Sequence, residues 1–185
     1  AQDDLAIAWN KLGDALADFG DLAGATRAYG EDAAISGRLA ASAPGDANLQ
    51  RNHAVALERQ AGVQAIAGDT AAALATGGGA LALRRALVAR APDSVEDRRG
   101  LAISLGDLAE WQIASGDFDR AIAARDEAVT LLAGLVEQDP GNAPLARDLA
   151  LATLRLGSAY LAAGDGERAG AALREAIRRF DTLVE

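Results

Sequence analysis

The chain has 185 residues, half of them apolar but only 4% aromatic, so its bulk is Ala and Leu, residues that favour helix. Its 27 acidic and 18 basic residues leave a net charge of −9, which opposes non-specific binding to nucleic acid or to an anionic membrane. There is no Cys, which excludes disulfide and thiol chemistry, and with one His (His53) a zinc site would have to rely on carboxylates.

Residues 2–19 carry Leu5, Ala8, Trp9, Leu12, Leu16 and Phe19 at helical spacing, an apolar stripe that predicts a buried face. Gly20-Asp21 ends this helix and begins the next. Glycine can take the left-handed conformation that stops a helix, and the aspartate can accept the orphan amide hydrogens that open another. The second helix runs to about Ala41, with Leu22, Ala25, Tyr29, Ala33 and Leu39 on its buried side. Pro44-Gly45-Asp46 stops it, and Asp46 or Asn48 caps the third.

The same plan recurs. The Gly-Asp corner returns at Gly68-Asp69, Gly116-Asp117 and Gly164-Asp165, each 48 residues after the last. Pro44, Pro92 and Pro140 keep this period, and so do Arg51, Arg99 and Arg147. A fixed period marked by a turn is the signature of a stacked repeat array. Eight helices in four pairs are predicted, with repeats at approximately 1–44, 45–92, 93–140 and 141–185. No segment reads as a linker, so 1–185 is expected to be a single repeat domain. Gly77-Gly78-Gly79 falls inside the predicted fourth helix and should cost about 2–3 kcal/mol against alanines there. The flanking Leu74, Leu81 and Leu83 still predict a helix that continues or kinks slightly and does not become an open loop. Either the Trp111 indole packs over this bare backbone, or the second repeat is merely degenerate; both readings stay open.

These residues resemble the tetratricopeptide repeats, whose unit of about 34 residues has the pattern W-x2-L-G-x2-Y, then Ala, an aromatic and Pro. The first repeat has Trp9, Leu12, Gly13, Leu16, Gly20, Asp21, Ala25 and Tyr29 at matching spacings. The fourth has Leu156, Gly157, Tyr160, Gly164, Asp165, Ala169, Leu173 and Ala176. The third has Leu105, Leu108, Ala109, Gly116, Asp117, Ala121 and Ala128. The second is degenerate, with Gln60 and Gln64 at apolar positions. The unit here is longer by roughly seven residues per helix, close to two turns, so each stripe stays in phase. The resemblance covers the whole chain and implies an all-α, TPR-like α-solenoid of four helical hairpins forming a right-handed superhelical array.

The resemblance also implies a function. In this family the first helices of the pairs line a concave groove that holds a protein or peptide partner. The matching polar positions are Asn10, Lys11 and Asp14 in the first repeat, Glu58 and Arg59 in the second, Asp107 and Glu110 in the third, and Arg155 and Ser158 in the fourth. Such side chains can hydrogen-bond a peptide backbone and pair with its charges; the alternative is an ordinary solvated face. One position of the family's carboxylate clamp is Ile7, Val55, Ile103 and Leu151 here, which argues against capture of a peptide C-terminus that way.

No catalytic constellation is visible. There is no Ser, His and Asp spacing of a triad, no paired His motif, no carboxylate pair set apart for acid/base work, and no Lys-Ser/Thr after the three glycines. His53 stands where the third and fourth repeats have Leu, and reads as a partly buried spacer. Arg51, Arg99 and Arg147 read as partners of carboxylates or carbonyl groups at the repeat junctions. Arg84, Arg85, Arg90, Arg98 and Arg99, interspersed with Asp93, Glu96 and Asp97, read as a salt-bridged face. The expectation is a non-enzymatic scaffold without cofactor or metal. The alternative is a regulatory ligand-sensing module controlling an attached effector domain. Nucleic acid is not an expected partner, and self-association through the end repeats is open. The opening AQDDLAIAWN lacks a basic n-region, and the longest uncharged run, Thr70 to Leu83, is too short to span a bilayer. A cytoplasmic location without membrane insertion is therefore expected. The chain starts inside a repeat and reads as part of a longer protein; its 17 Arg to 1 Lys fit a GC-rich bacterial genome.

Overall fold

The computed structural model describes residues 2–183. It contains α1 (Gln2–Asp18), α2 (Leu22–Ser42), α3 (Ala47–Ile66), α4 (Thr70–Arg90), α5 (Val95–Ala114), α6 (Phe118–Gln138), α7 (Ala143–Ala162) and α8 (Gly166–Asp181). No strand occurs among the described residues. Consecutive helices pack as hairpins, and the chain divides into two compact units, one ending at Pro92 and the other beginning at Asp93. Among the described residues no helix is long and apolar enough to cross a membrane.

The Gly-Asp corners work twice over. Gly20, Gly68, Gly116 and Gly164 have φ of 81°, 86°, 81° and 80°, a region open to glycine but costly for other residues. The next amide reaches back to close the previous helix: Asp21 N–H donates to the Leu16 carbonyl at 2.9 Å, and Asp69, Asp117 and Asp165 repeat the bond to Gln64, Gln112 and Tyr160. The same aspartates then cap the following helix. Asp21 accepts from Gly24 N–H at 2.8 Å, Asp69 from Ala72, Asp117 from Arg120 and Asp165 from Arg168. At the longer junctions Asp46, Ser94 and Asn142 are the caps.

The core is built from small side chains. Ala25, Ala73, Ala121 and Ala169, one per repeat, are fully buried. Opposite them the first helices carry Gly13, Ala61, Ala109 and Gly157. A Cβ on Gly13 would lie 2.6 Å from Tyr29 Cε1, and one on Gly157 would lie 2.9 Å from Leu173. In the first and fourth repeats glycine therefore stands on the first helix where the second helix presents Tyr29 or Leu173. Such close approach lets pairs of long helices pack without many aromatics.

The stripe expected on α1 is only partly buried. Its buried residues are Ala6 and Gly13, whereas Leu5 and Leu12 are exposed and Phe19 is almost fully so. As the first helix of its unit, α1 packs chiefly on α2, and one neighbour cannot cover a wide apolar face. On α2, Ala25, Tyr29 and Ala33 are buried as expected, while Leu22 and Leu39 are half-buried. Helix α4 runs unbroken through the three glycines. A Cβ on Gly78 would meet no heavy atom within 4 Å, and one on Gly79 only Leu57 Cδ1 at 3.8 Å, so at these two positions no neighbour requires bare backbone.

Candidate functional site

Each unit carries a cleft built from its two first helices with the intervening second helix as floor. In the first unit, α1 supplies Asp3, Ala6, Ile7 and Asn10, α2 supplies Asp32, Ser36 and Leu39, and α3 supplies Leu49, Asn52, Val55 and Arg59. Its volume is about 290 Å³. In the second unit, α5, α6 and α7 enclose about 200 Å³, with Ile103, Asp107, Arg125, Asp148, Leu151 and Arg155 on the wall. The lining positions correspond across the two units: Ile7 with Ile103, Val55 with Leu151, and Arg59 with Arg155, all 96 residues apart.

Of the polar positions singled out in the sequence, Asn10 and Arg59 line the first cleft, and Asp107 and Arg155 the second. The others have different surroundings. Lys11 is solvent-exposed and pairs with Asp14 at 3.3 Å. Asp14 accepts from the Tyr29 hydroxyl at 2.9 Å and from Arg59 Nη1, which ties α1 to both α2 and α3. Burial pushes the Asp14 carboxyl upward, but the Tyr29 hydrogen bond together with Arg59 and Lys11 outweighs it and holds the group below the usual carboxylate range. The Tyr29 hydroxyl is pushed up, first by burial and then by Asp14.

Glu58 belongs to the packing between α3 and α4. Arg84 Nε and Nη2 donate to its two carboxylate oxygens, both at 2.9 Å, and both side chains are largely buried. A charge reversal at Glu58 would therefore disturb the fold as well as any groove. Glu110 is exposed and holds Arg125 Nη2, whose side chain is only 2% exposed. Burial pulls the Arg125 guanidinium down, Glu110 holds it up, and the like charge of Arg155 lowers it again. Among the described residues, Arg125 Nε has no hydrogen-bond partner. Ser158 is exposed and donates to the Leu154 carbonyl one turn back along α7 at 3.3 Å.

The basic residues noted in the sequence disperse into separate contacts. Arg84 binds Glu58, Arg90 donates to the Pro44 and Gly45 carbonyls, Arg98 reaches Gln138, and Arg99 pairs with Asp148 on α7 at 2.6 Å. Of the periodic arginines, Arg99 bridges two repeats, and Arg51 donates to Asn48 on its own helix. His53 is half-buried against Gly37, and burial lowers its pKa against a smaller upward pull from Asp32.

The floor of the first cleft lies outside the polar positions singled out in the sequence. Asp32 is only 6% exposed, accepts from Asn10 Nδ2 at 3.0 Å, and burial raises its carboxyl against the smaller downward effects of Asn10, Arg59 and His53. A signal was present: the equivalent residues of the other repeats are Ala80, Ala128 and Ala176. Asp32 lies on the second helix of its repeat, away from the first-helix positions that the repeat pattern singles out.

No family model matches the chain, and no curated protein matches it in sequence. Solved structures do match in shape. BtubC (BKLC) from P. vanneervenii aligns over 99% of this chain with a TM-score of 0.77 at 20% identity. The chain spans 66% of the length of that protein. The DHF58 filament aligns over 98% of this chain and 93% of its own, with a TM-score of 0.60 at 19% identity. At such identities the likeness establishes the fold, an all-helical repeat.

Proposed function

We propose that the chain is a non-enzymatic, tetratricopeptide-like interaction scaffold that binds an extended peptide or protein segment along the first helices of its repeats. The reading is supported by one observation above all, the exposed apolar ladder beside the two clefts. Ile7 is 60% exposed, Val55 38% and Ile103 50%, and with Leu151 they occupy one repeat position and line the clefts in pairs. Leaving β-branched side chains in water at the same place in successive repeats costs burial energy that a partner can recover. Asn10, Arg59, Asp107 and Arg155 beside them supply the polar groups that would fix a peptide's register.

The test is selection of displayed peptides against the chain, repeated with Ile7→Arg/Val55→Arg and with Ile103→Arg/Leu151→Arg. Selected peptides should lose at least about tenfold in affinity for one of the two variants. Far-UV circular dichroism should stay that of a helical protein. Unchanged binding to both variants, or no enrichment of any peptide, overturns the reading.

A further inference from the structure

The cleft of the first unit has a composition that the groove reading does not use. Its walls carry the aliphatic Ile7 and Val55, and on its floor Leu39 stands beside the polar Asp32 and Ser36. The floor carries Asp32, a buried residue whose carboxylate accepts, among the described residues, one hydrogen bond, from Asn10 Nδ2. Because Asn10 spends an N–H on Asp32, its Oδ1 is left as an acceptor. Ser36 Oγ donates to the Asp32 backbone carbonyl at 2.7 Å, which likewise leaves its lone pairs to accept. Three acceptors, from an aspartate, an asparagine and a serine, with one negative charge among them, therefore line the same small space.

An aliphatic sleeve ending in three acceptors, one of them a carboxylate, is the complement of an aliphatic stem ending in three donors that share a positive charge. We infer that this cleft takes the side chain of a lysine presented by an extended peptide, with the ammonium on Asp32, Asn10 Oδ1 and Ser36 Oγ. The inference rests on the groove reading and names the chemistry recognised there.

Four observations select lysine over other occupants. The volume of about 290 Å³ sits at the lower edge of ordinary small-molecule pockets, which suits one side chain rather than a cofactor. The methylene stem of lysine packs on apolar walls while its head needs polar partners. Arginine presents a planar fork that wants both oxygens of one carboxylate, and Asn10 already holds Asp32 Oδ2. The charges around the floor also favour a cation. Asp3 and Asp32 line the cleft, and the Arg59 guanidinium at its edge is bound to Asp14. A buried carboxylate with a single hydrogen bond gains most from a charged partner. The cleft of the second unit is an internal control. There Gly106, Ala128 and Leu132 replace Asn10, Asp32 and Ser36, so the floor acceptors are missing, and the carboxylates of that cleft, Asp107 and Asp148, stand on its wall beside Arg125 and Arg155.

The experiment is an NMR titration of the full chain with the capped peptide Ac-Ala-Ala-Lys-Ala-Ala-NH2. Its counterparts carry Nε-acetyl-lysine, arginine or glutamate at the centre, and n-butylammonium serves as a free amine. The lysine peptide should shift amides of α1, α2 and α3 around Asn10, Asp32 and Val55, and leave those around Gly106 and Ala128 unmoved. Asp32→Asn should weaken binding at least about tenfold, and acetylation of the lysine should do the same. Ser36→Ala, which keeps the carboxylate, should give a smaller loss. Equal binding of the acetyl-lysine or glutamate peptide at this cleft overturns the inference while leaving the groove reading standing. Binding of n-butylammonium as tight as that of the peptide overturns the peptide source. Absence of any shift in α1 to α3 with the lysine peptide overturns the inference as well, and the groove reading is then judged by peptide selection alone.

Discussion

The two units repeat one backbone plan but solve the same packing positions with different chemistry. Where the first unit seats the Tyr29 phenol, hydrogen-bonded to Asp14, the second seats a buried guanidinium, Arg125, held by Glu110. Where the first floors its cleft with Asp32 and Ser36, the second has Ala128 and Leu132. The second hairpin of the first unit carries the Glu58–Arg84 ion pair, and the equivalent positions of the second unit are Leu154 and Phe180. Corners, caps and small-residue contacts are common to both units, so they carry the fold. The variable positions lie around the clefts and between paired helices, where a repeat can change its ligand or its pinning without losing its shape.

The largest expected effect breaks this contrast at the ion pair. Glu58→Ala leaves the Arg84 guanidinium buried without its main partner and should cost about 3 kcal/mol in denaturant unfolding. Importing the second unit's solution, Glu58→Leu with Arg84→Phe, should recover most of that loss, because apolar residues of similar volume commonly replace a buried pair at little cost. A loss below about 1 kcal/mol for Glu58→Ala would show that this hairpin does not depend on the pair.

A second, smaller effect separates the units at the helix crossing. Gly13→Ala drives a methyl into the Tyr29 ring and should destabilise by about 2 kcal/mol, although alanine is the better helix former. The second unit already has Ala109 at this position, where the matching second-helix residue is Arg125 and not a tyrosine. A thermal melt of the Gly13→Ala variant that matches or exceeds the parent would remove the close-approach argument.

The smallest effect concerns Asp32, whose counterpart Ala128 has nothing to titrate. Burial raises the Asp32 carboxyl, so the folded chain holds this proton more tightly than the unfolded chain does. Ionised Asp32 therefore costs stability above its folded pKa, and the cost disappears as the pH falls below the unfolded value. Asp32→Asn should be slightly more stable than the parent near pH 7, with the advantage fading toward about pH 3. Asp14 works in the opposite sense: its lowered pKa adds stability at neutral pH that is lost as the pH falls through the carboxylate range. A difference between Asp32→Asn and parent that stays constant with pH would mean that Asp32 pays no burial cost.

Much of the architecture was legible from residues near one another in the chain. A glycine that must turn left-handed, an aspartate that caps and a proline that stops a helix act within a few residues. Their recurrence therefore announced the helices, the four corners and their pairing. The polar candidates were legible only as positions on the first helices. Sequence spacing placed Asn10, Glu58 and Glu110 on comparable helices, but it did not tell that Asn10 meets a carboxylate 22 residues on, that Glu58 is locked by Arg84, or that Glu110 holds a buried arginine.

By itself, then, the sequence determined helix boundaries, caps and the alanine core, because those depend on backbone preferences and on side chains that repeat with the period. Only the tertiary structure decided which polar residues bind one another and which face a cleft. Asp32 turns from an oddity in an alanine row into a floor because α1 and α3 close around α2. The exposure of Leu5, Leu12 and Phe19 was settled the same way: an apolar stripe states what a helix can bury, and the neighbours that actually arrive decide how much of it leaves water.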